Sequence, residues 1–399
     1  MKKILKISSM LGFLLLPFAI KATEAMAETK PHVFIITKPE AVGDYNQLLG
    51  IKNSLQPLAP KVTSFLEFQV TNLDQMITAL KNLSDSESKE KIIILSVGDY
   101  GIDAFKRIKA EINNPNLKYV LSSHQLTDKI FLEKDNIDLL ALPAHAISQE
   151  FEREFKKENV SKIIPTIGVA HNLDKHQVET AYEENKDKIL PLKACKKYIG
   201  VILGGDAPDA SNKMHYYTAE EAIRLADYIA ALAKKENAVV LATDGPRTGK
   251  HNPLDGQVNE KAHTEQGEPN PVSGAFQTRL AQQLPPDQFK FYGFIYGKPS
   301  LSKAIYGAVV KTQGKLFIPG ESTSMISEGI DSVGKGMMVV YPTNSMNENH
   351  KAHVKLEQQH GRVKLLDANF NKVSLPTQAL PIKESAAQVI AHALLPLLQ

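Results

Sequence analysis

The chain has one cysteine, Cys195, and no tryptophan among its 399 residues. A single cysteine excludes an internal disulfide and a multi-cysteine metal site, and Cys195 is expected to be a small buried side chain rather than a functional thiol. Because tryptophan is absent, a platform that stacks a sugar ring has to use tyrosine or phenylalanine. Both remain available here.

Several functional motifs are absent as well. The sequence contains no G-x-S-x-G, no P-loop and no Cys-His arrangement, which excludes common hydrolases and NTPases. No histidine spacing is typical of a zinc site, so we predict neither a metal nor a cofactor. After the first residues, no apolar run approaches the roughly eighteen residues of a membrane span. The sequence therefore predicts no stable span.

The first 27 residues have the pattern of a cleavable signal peptide. A basic segment, "MKKILK", precedes the apolar run "MLGFLLLPFAI" and the small-x-small site "AMA". We predict cleavage after Ala27 and a periplasmic or secreted protein. The leader accounts for the formal net charge of +3, through Lys2, Lys3, Lys6 and Lys21 against Glu24. The remaining chain is formally neutral, which gives no electrostatic reason to expect nucleic acid as a partner.

Apolar runs and amphipathic segments alternate along the rest of the chain, whose length favours about two domains. In the first half the predicted strands are 32–37, 91–99 and 137–143, and the predicted helices are 44–55, 101–111 and 148–158. In the second half the strands are 198–206, 238–244 and 288–296, and the helices include 218–235 and 300–310. Continuous apolar strands separated by helices indicate parallel sheets covered on both faces.

The fold class that follows is α/β, with two doubly wound Rossmann-like domains. We predict the domains at 28–190 and 191–380, with a linker near 184–197 and a C-terminal helix within 381–399. Residues 244–273, rich in Gly, Pro, Asn and His, are either a functional lid or a disordered insert.

Doubly wound sheets bind ligands beyond the carboxyl ends of their strands. One such turn begins "GESTSMISEG" at 320–329. Ser322, Thr323 and Ser324 are either plain helix caps or a cradle for a phosphate at the helix N-terminus. Glu328 lies about one helical turn farther on, where its carboxylate could reach ribose hydroxyls.

Other turns at strand ends supply further candidates. Arg247 and Thr248 follow a predicted buried strand, and Arg247 is either a phosphate ligand or a surface arginine held by a carboxylate. Gly204 and Gly205 indicate a tight turn with close backbone approach.

Asp44 is either the N-cap of the first helix or a general base that faces the cleft. His145, in "PAHA", is either structural or catalytic. His124 and His171 are weaker candidates.

Together these turns resemble the "elongated mitochondria" (mitochondrial fission ELM) family of glycosyltransferase-like proteins. The similarity runs in order through "TKPEAVGDYNQLLGI", "LLALPAHA", "VILGGDAP", "LATDGPRTG" and "IPGESTSMISEG". Asp44, Pro246 and Glu321 stand where the family has a histidine, an arginine and an aspartate.

The resemblance implies a GT-B-like architecture, in which the last helix crosses back to the first domain. It also implies a nucleotide-sugar donor held by Gly204, Gly205, Arg247, Thr248, Ser322, Ser324 and Glu328. Catalysis in that class usually needs no metal. The expected activity is transfer of a sugar to an unknown acceptor. An exported transferase needs a donor outside the cytoplasm or a destination inside another cell. The alternatives are an exported binding protein of the same fold and a structural or host-interaction protein.

Overall fold

The computed structural model describes residues 31–38, 40–62, 64–84, 90–148, 151, 153, 162–189, 197–209, 213–265, 267, 270–374 and 382–398. The predicted signal peptide, Cys195, most of the predicted helix 148–158 and the predicted domain boundaries at 190/191 and 380/381 lie outside these residues. Residues 184–189, predicted to begin the linker, are instead the last turns of a helix.

The first sheet has six parallel strands in the order β2-β1-β3-β4-β5-β6. Its strands are β1 (His32–Thr37), β2 (Ser64–Gln69), β3 (Ile92–Val97), β4 (Leu117–Ser122), β5 (Leu139–Pro143) and β6 (Lys162–Thr166). Its described helices are α1 (Val42–Leu55), α2 (Leu73–Ser84), α3 (Gly98–Glu111) and α4 (Asp128–Leu132). Apolar clusters lie on both faces of the sheet, as the continuous apolar strands predict.

The second sheet has seven strands in the order β11-β10-β7-β12-β13-β14-β15, and only the β14–β15 pair is antiparallel. Its strands are β7 (Lys197–Ile202), β10 (Ala238–Thr243), β11 (Phe289–Tyr292), β12 (Lys315–Pro319), β13 (Met338–Tyr341), β14 (Lys364–Leu366) and β15 (Lys372–Val373). A separate short pair joins β8 (Ala207–Pro208) to β9 (Met214–His215).

The helices after β6 are α5 (Lys175–Ile189), α6 (Ala219–Glu236), α7 (Pro271–Ala281), α8 (Ser302–Thr312), α9 (Thr323–Val333), α10 (Glu348–Gln359) and α11 (Ala386–Leu398). Local sequence signals fix both ends of helix α6. Thr218 and Glu221 form a capping box at its start, and Asn237 ends it in the left-handed conformation.

The last helix, α11, packs on the first domain, as the resemblance predicts. Ile390 and Leu394 on α11 share an apolar cluster with Leu48 and Ile51 on α1 and with strands of the first sheet. The chain thus enters the second domain after β6 and returns at α11. The predicted fold class, two doubly wound domains with a returning C-terminal helix, is confirmed.

Two further contacts join the halves of the molecule. Helix α5 packs its buried Val178 among residues of the second sheet's helices and strands. The backbone N–H of Val169 donates to Ser327 Oγ on α9 at 2.9 Å. These contacts bring the carboxyl ends of the two sheets to the same cleft. In the part of the chain that is described, no helix combines the length and apolar character needed to cross a bilayer.

Candidate functional site

A cavity of about 150 Å³ lies at the carboxyl ends of β10, β7 and β12, three adjacent strands of the second sheet. The described residues that line it are Ile202, Leu203, Gly205, Gly245, Pro246, Arg247, Thr248, Pro319, Glu321, Ser322 and Met325. Three separate predicted turns therefore meet at one place. Since sites for whole drug-sized ligands usually start at about 300 Å³, this cavity accommodates only part of a nucleotide sugar.

Glu321 organises the cavity, a role the sequence did not reveal. Its carboxyl is buried and accepts a hydrogen bond from Gly205 N–H at 2.7 Å and from the Thr343 hydroxyl at 2.6 Å. Burial raises the pKa of the Glu321 carboxyl, and these two donors together with Arg247 lower it in part. One side chain thus ties the glycine turn to the start of α9 and to the segment after β13.

The two glycines act through close packing. A Cβ on Gly204 would lie 2.9 Å from the Tyr217 ring, and a Cβ on Gly205 would lie 2.9 Å from Arg247 Cβ. The Gly205 amide already donates to Glu321. Their predicted role in donor binding stays a prediction, and the structure shows how Gly205 permits the Arg247 turn to approach.

Arg247 is exposed at the edge of this cavity. Among the described residues no carboxylate forms an ion pair with it, so the surface pair considered from the sequence is not found. Burial lowers the pKa of His124, on the first domain, and that of His350, at the start of α10, and the positive charge of Arg247 lowers both further. Arg247 therefore stands in the cleft with its guanidinium available to an anion.

Thr248, next to Arg247, is buried and holds the turn together. Its hydroxyl oxygen accepts from Gly245 N–H at 3.1 Å, and its backbone carbonyl lies 2.8 Å from His263 Nε2. His251 adds a second tie, since its backbone N–H donates to Asp206 at 3.0 Å. His251 and His263 thus anchor parts of 244–273 at the site, while residues 252–255 and 257–261 are exposed, and the choice between lid and insert stays open.

The start of α9 differs from an ordinary capped helix. Ser322 occupies the N-cap position, yet its side chain makes no capping hydrogen bond. The hydroxyls of Ser322, Thr323 and Ser324 have no hydrogen-bond partner in the described part of the chain. The plain capping interpretation therefore does not explain these three hydroxyls, which remain available to a ligand at a helix N-terminus.

Glu328 lies elsewhere on α9 and is not one of the described residues that line the cavity. Burial raises the pKa of its carboxyl, and His171 and Lys303 lower it in part. These neighbours belong to the segment after β6 and to α8. The predicted contact between Glu328 and a ribose stays a prediction.

On the first domain, Asp44 lies in the first turn of α1 and is not its N-cap. Helix α1 begins at Val42, and Ala41 occupies the N-cap position without a side-chain hydrogen bond. The capping interpretation of Asp44 was therefore wrong. Burial raises the pKa of the Asp44 carboxyl, while His124 and Lys38 lower it. Its nearness to His124 places this carboxyl on the cleft side of the first domain.

Four histidines face each other across the cleft. The rings of His145, from the first domain, and His353, on α10, have centroids 4.8 Å apart. His124 and His350 are close enough to these rings to affect their protonation. The structure thus brings together Arg247 with both predicted catalytic residues, Asp44 and His145. His350 and His353 were missed because their helix carries no motif that indicates a site.

The sequence pattern of the family described as "Mitochondrial fission ELM1" matches residues 43–279, more than half of the chain. The chain belongs to the mitochondrial fission ELM1 family. The matched range includes Asp44, His145 and Arg247, whereas the start of α9 lies beyond it. No curated protein matches the ELM1-family chain.

Solved structures resemble this ELM1-family protein over nearly its whole length. MurG of Acinetobacter baumannii is 11% identical with a TM-score of 0.39, covering 92% of this chain and 91% of that one. Arabidopsis thaliana UGT89C1, complexed with UDP-L-rhamnose, is 12% identical with a TM-score of 0.40, covering 91% and 89%. S. aureus MnaA, a co-structure with UDP, is 14% identical with a TM-score of 0.42, covering 91% and 87%.

The described residues of the ELM1-family chain contain no group of three or more His, Cys, Asp or Glu side chains placed to hold a metal ion. His145 Nδ1 and both ring nitrogens of His353 are buried without a hydrogen-bond partner among the described residues.

This histidine cluster predicts sensitivity to acid. Burial, and then His124, lowers the pKa of His145 to about 4. Burial, and then Arg247 and the two histidines of the first domain, lowers the pKa of His350 to about 4. The unfolded chain has a histidine pKa near 6.5 and so binds more protons between these values. Stability is complete above pH 6.5 and is lost as pH falls toward 4, by up to about 1.4 kcal/mol per histidine and pH unit.

We therefore expect the Tm to fall between pH 7 and pH 5. His353→Leu, which removes a buried ring with unpaired nitrogens, should raise the Tm at pH 5 relative to wild type. Exposed His176 on α5 is the control, and His176→Gln should leave the profile unchanged. A wild-type Tm that is constant over this range would contradict the prediction.

Proposed function

We propose that this protein is a glycosyltransferase that moves a sugar from a nucleotide-sugar donor to an acceptor hydroxyl. The observation that carries the proposal is the pairing of Arg247, which lacks an ion-pair partner among the described residues, with the unpartnered hydroxyls at the start of α9. Arg247 and Ser322 border one cavity at the carboxyl ends of β10, β7 and β12, and Thr323 and Ser324 follow Ser322 on α9. That combination suits a diphosphate.

The diphosphate binds at Arg247 and the N-terminus of α9, with the Ser322 and Ser324 hydroxyls donating to its oxygens. The cavity takes this part of the donor, while the sugar extends into the cleft toward the first domain. The guanidinium and the helix dipole stabilise the charge that develops on the departing diphosphate. The proposed reaction therefore needs no metal.

Asp44 is the better of the two predicted bases. Burial raises the pKa of its carboxyl, which strengthens it as a base, whereas the pKa of His145 is lowered to about 4. The acceptor oxygen attacks the anomeric carbon as Asp44 takes its proton. The bond from that carbon to the diphosphate oxygen breaks, and its electron pair leaves with the nucleoside diphosphate.

A thermal-shift screen of the purified protein against UDP, ADP, GDP and dTDP, and against their glucose esters, tests donor binding. We expect one nucleotide series to raise the Tm. At a ligand concentration of one hundred times Kd, binding stabilises the folded protein by about 2.7 kcal/mol. If no nucleotide in the series changes the Tm, the donor site is wrong.

Release of nucleoside diphosphate from the stabilising donor then separates an enzyme from a binding protein. We expect slow release with water as the acceptor, and we expect Asp44→Asn to abolish release while the Tm shift remains. Binding without release from the wild type would favour the exported binding protein. We keep the periplasmic or secreted location as part of the proposal.

A further inference from the structure

His350 is held in one tautomer by its own helix. It is the third residue of α10, and its Nδ1 accepts a hydrogen bond from the backbone N–H of Asn347 at 3.1 Å. The Asn347 side chain accepts in return from His350 N–H at 3.0 Å. A backbone N–H only donates, so Nδ1 carries no proton. In the neutral ring the proton is therefore on Nε2.

The surroundings of His350 keep the ring neutral. Burial, then Arg247, His124 and His145, lower the pKa of His350 to about 4. Arg247 belongs to the turn after β10, and the two histidines belong to the first domain. His350 is thus an uncharged donor beside the guanidinium, at the point where both domains meet.

The Nε2–H group of His350 has no acceptor among the described residues. No hydrogen bond joins Nε2 to any residue in the described part of the chain, and the ring is only half-buried. One turn farther along α10, fully buried His353 packs on His145 of the first domain, which confirms that this helix face is directed at the cleft. A neutral donor without an acceptor among the described residues suits a ligand oxygen.

We propose that His350 contacts the donor substrate, its Nε2–H donating to an oxygen of the diphosphate or of the attached sugar. This inference rests on the proposed function. It adds α10 as a third element of the donor site, after the Arg247 turn and the start of α9. His350 is then a binding residue with a defined proton position.

Two substitutions separate this role from helix capping. His350→Asn keeps an acceptor at the δ position for Asn347 N–H and removes the distal donor. His350→Gln can also form a capping box, and its longer amide can still supply a donor. We expect His350→Asn to weaken nucleotide-sugar binding roughly tenfold and His350→Gln to bind within about threefold of wild type. Both variants should keep the wild-type Tm without ligand.

Calorimetric titration with UDP and UDP-glucose, or with the series that stabilises the wild type, distinguishes the two oxygens. Equal weakening for both ligands by His350→Asn supports a phosphate contact, and weakening for the sugar ester alone supports a sugar contact. Unchanged affinity in His350→Asn, or equal losses in both variants, overturns the inference.

Arg247→Ala identifies which proposal fails. If Arg247→Ala weakens binding while His350→Asn does not, only the role of His350 is wrong. If the wild type binds no nucleotide or nucleotide sugar, the proposed function fails and this inference fails with it.

Discussion

Arg247→Ala is expected to weaken nucleotide-sugar binding by about a hundredfold or more, with little change in Tm. Each hydrogen bond to a charged group contributes about 1.5–3 kcal/mol, and a guanidinium can make two to a diphosphate. Because Arg247 is exposed and has no ion-pair partner in the described part of the chain, its removal costs the fold little. Calorimetric titration and a thermal melt measure the two effects.

The chain offers a matched control in the same domain. Arg279 on α7 pairs with Asp227 on α6 at 2.6 Å, and both side chains are well exposed. Arg279→Ala makes the same chemical change away from the cavity, so nucleotide-sugar affinity should be unchanged. The fold should also lose little stability, since exposed ion pairs contribute about 0–1 kcal/mol. Arg247→Lys keeps the positive charge but loses the planar set of guanidinium donors, so its affinity should lie between those of wild type and Arg247→Ala. Wild-type affinity in Arg247→Ala would rule out the donor site proposed here.

Gly307→Ala is expected to lower the Tm by about 5–10 °C, corresponding to roughly 2–3 kcal/mol of overpacking. Gly307 lies on α8 where that helix crosses α5. A Cβ there would lie 2.0 Å from the Val178 carbonyl oxygen and 2.7 Å from Tyr182 Cβ. A helix carbonyl cannot move aside by itself, so the two helices must separate.

Gly274 on α7 is the matched control, because a Cβ there has no atom within 4 Å. Gly274→Ala should leave the Tm unchanged or raise it, since alanine is favoured over glycine inside a helix by about 0.5–1 kcal/mol. Equal melting temperatures for Gly307→Ala and wild type would show that α5 and α8 are not packed this closely.

The strands with continuous apolar side chains were predicted well. The predicted strand "HVFIIT" has the same boundaries as β1, and the predicted strand 238–244 is one residue longer than β10. Strands β2, β4 and β6 were not predicted, and of these β4 is an inner strand whose apolar run is interrupted by Lys118. In β2 (SFLEFQ) none of the six side chains is fully buried and Glu67 is charged, and β6 contains Pro165. Both β2 and β6 are edge strands of the first sheet, where one side stays unpaired and the apolar requirement is weaker.

For the candidate site, turn composition identified Arg247, Asp44 and His145, which the structure places at one cleft. It did not identify Glu321 as the residue that joins the turns, nor His350 and His353 on α10. Glu321 acts on Gly205, 116 residues away in sequence, and its contact exists only because β7 and β12 are neighbours.

The sequence by itself determined the element types, the α/β class and the polar turns at strand ends, because periodicity and turn chemistry are local properties. Only the tertiary structure decided that Arg247 has no ion-pair partner among the described residues and that His145 meets His353. Those facts depend on strand order and on how the two sheets face each other. Such contacts join residues far apart in the chain, and no local pattern encodes them.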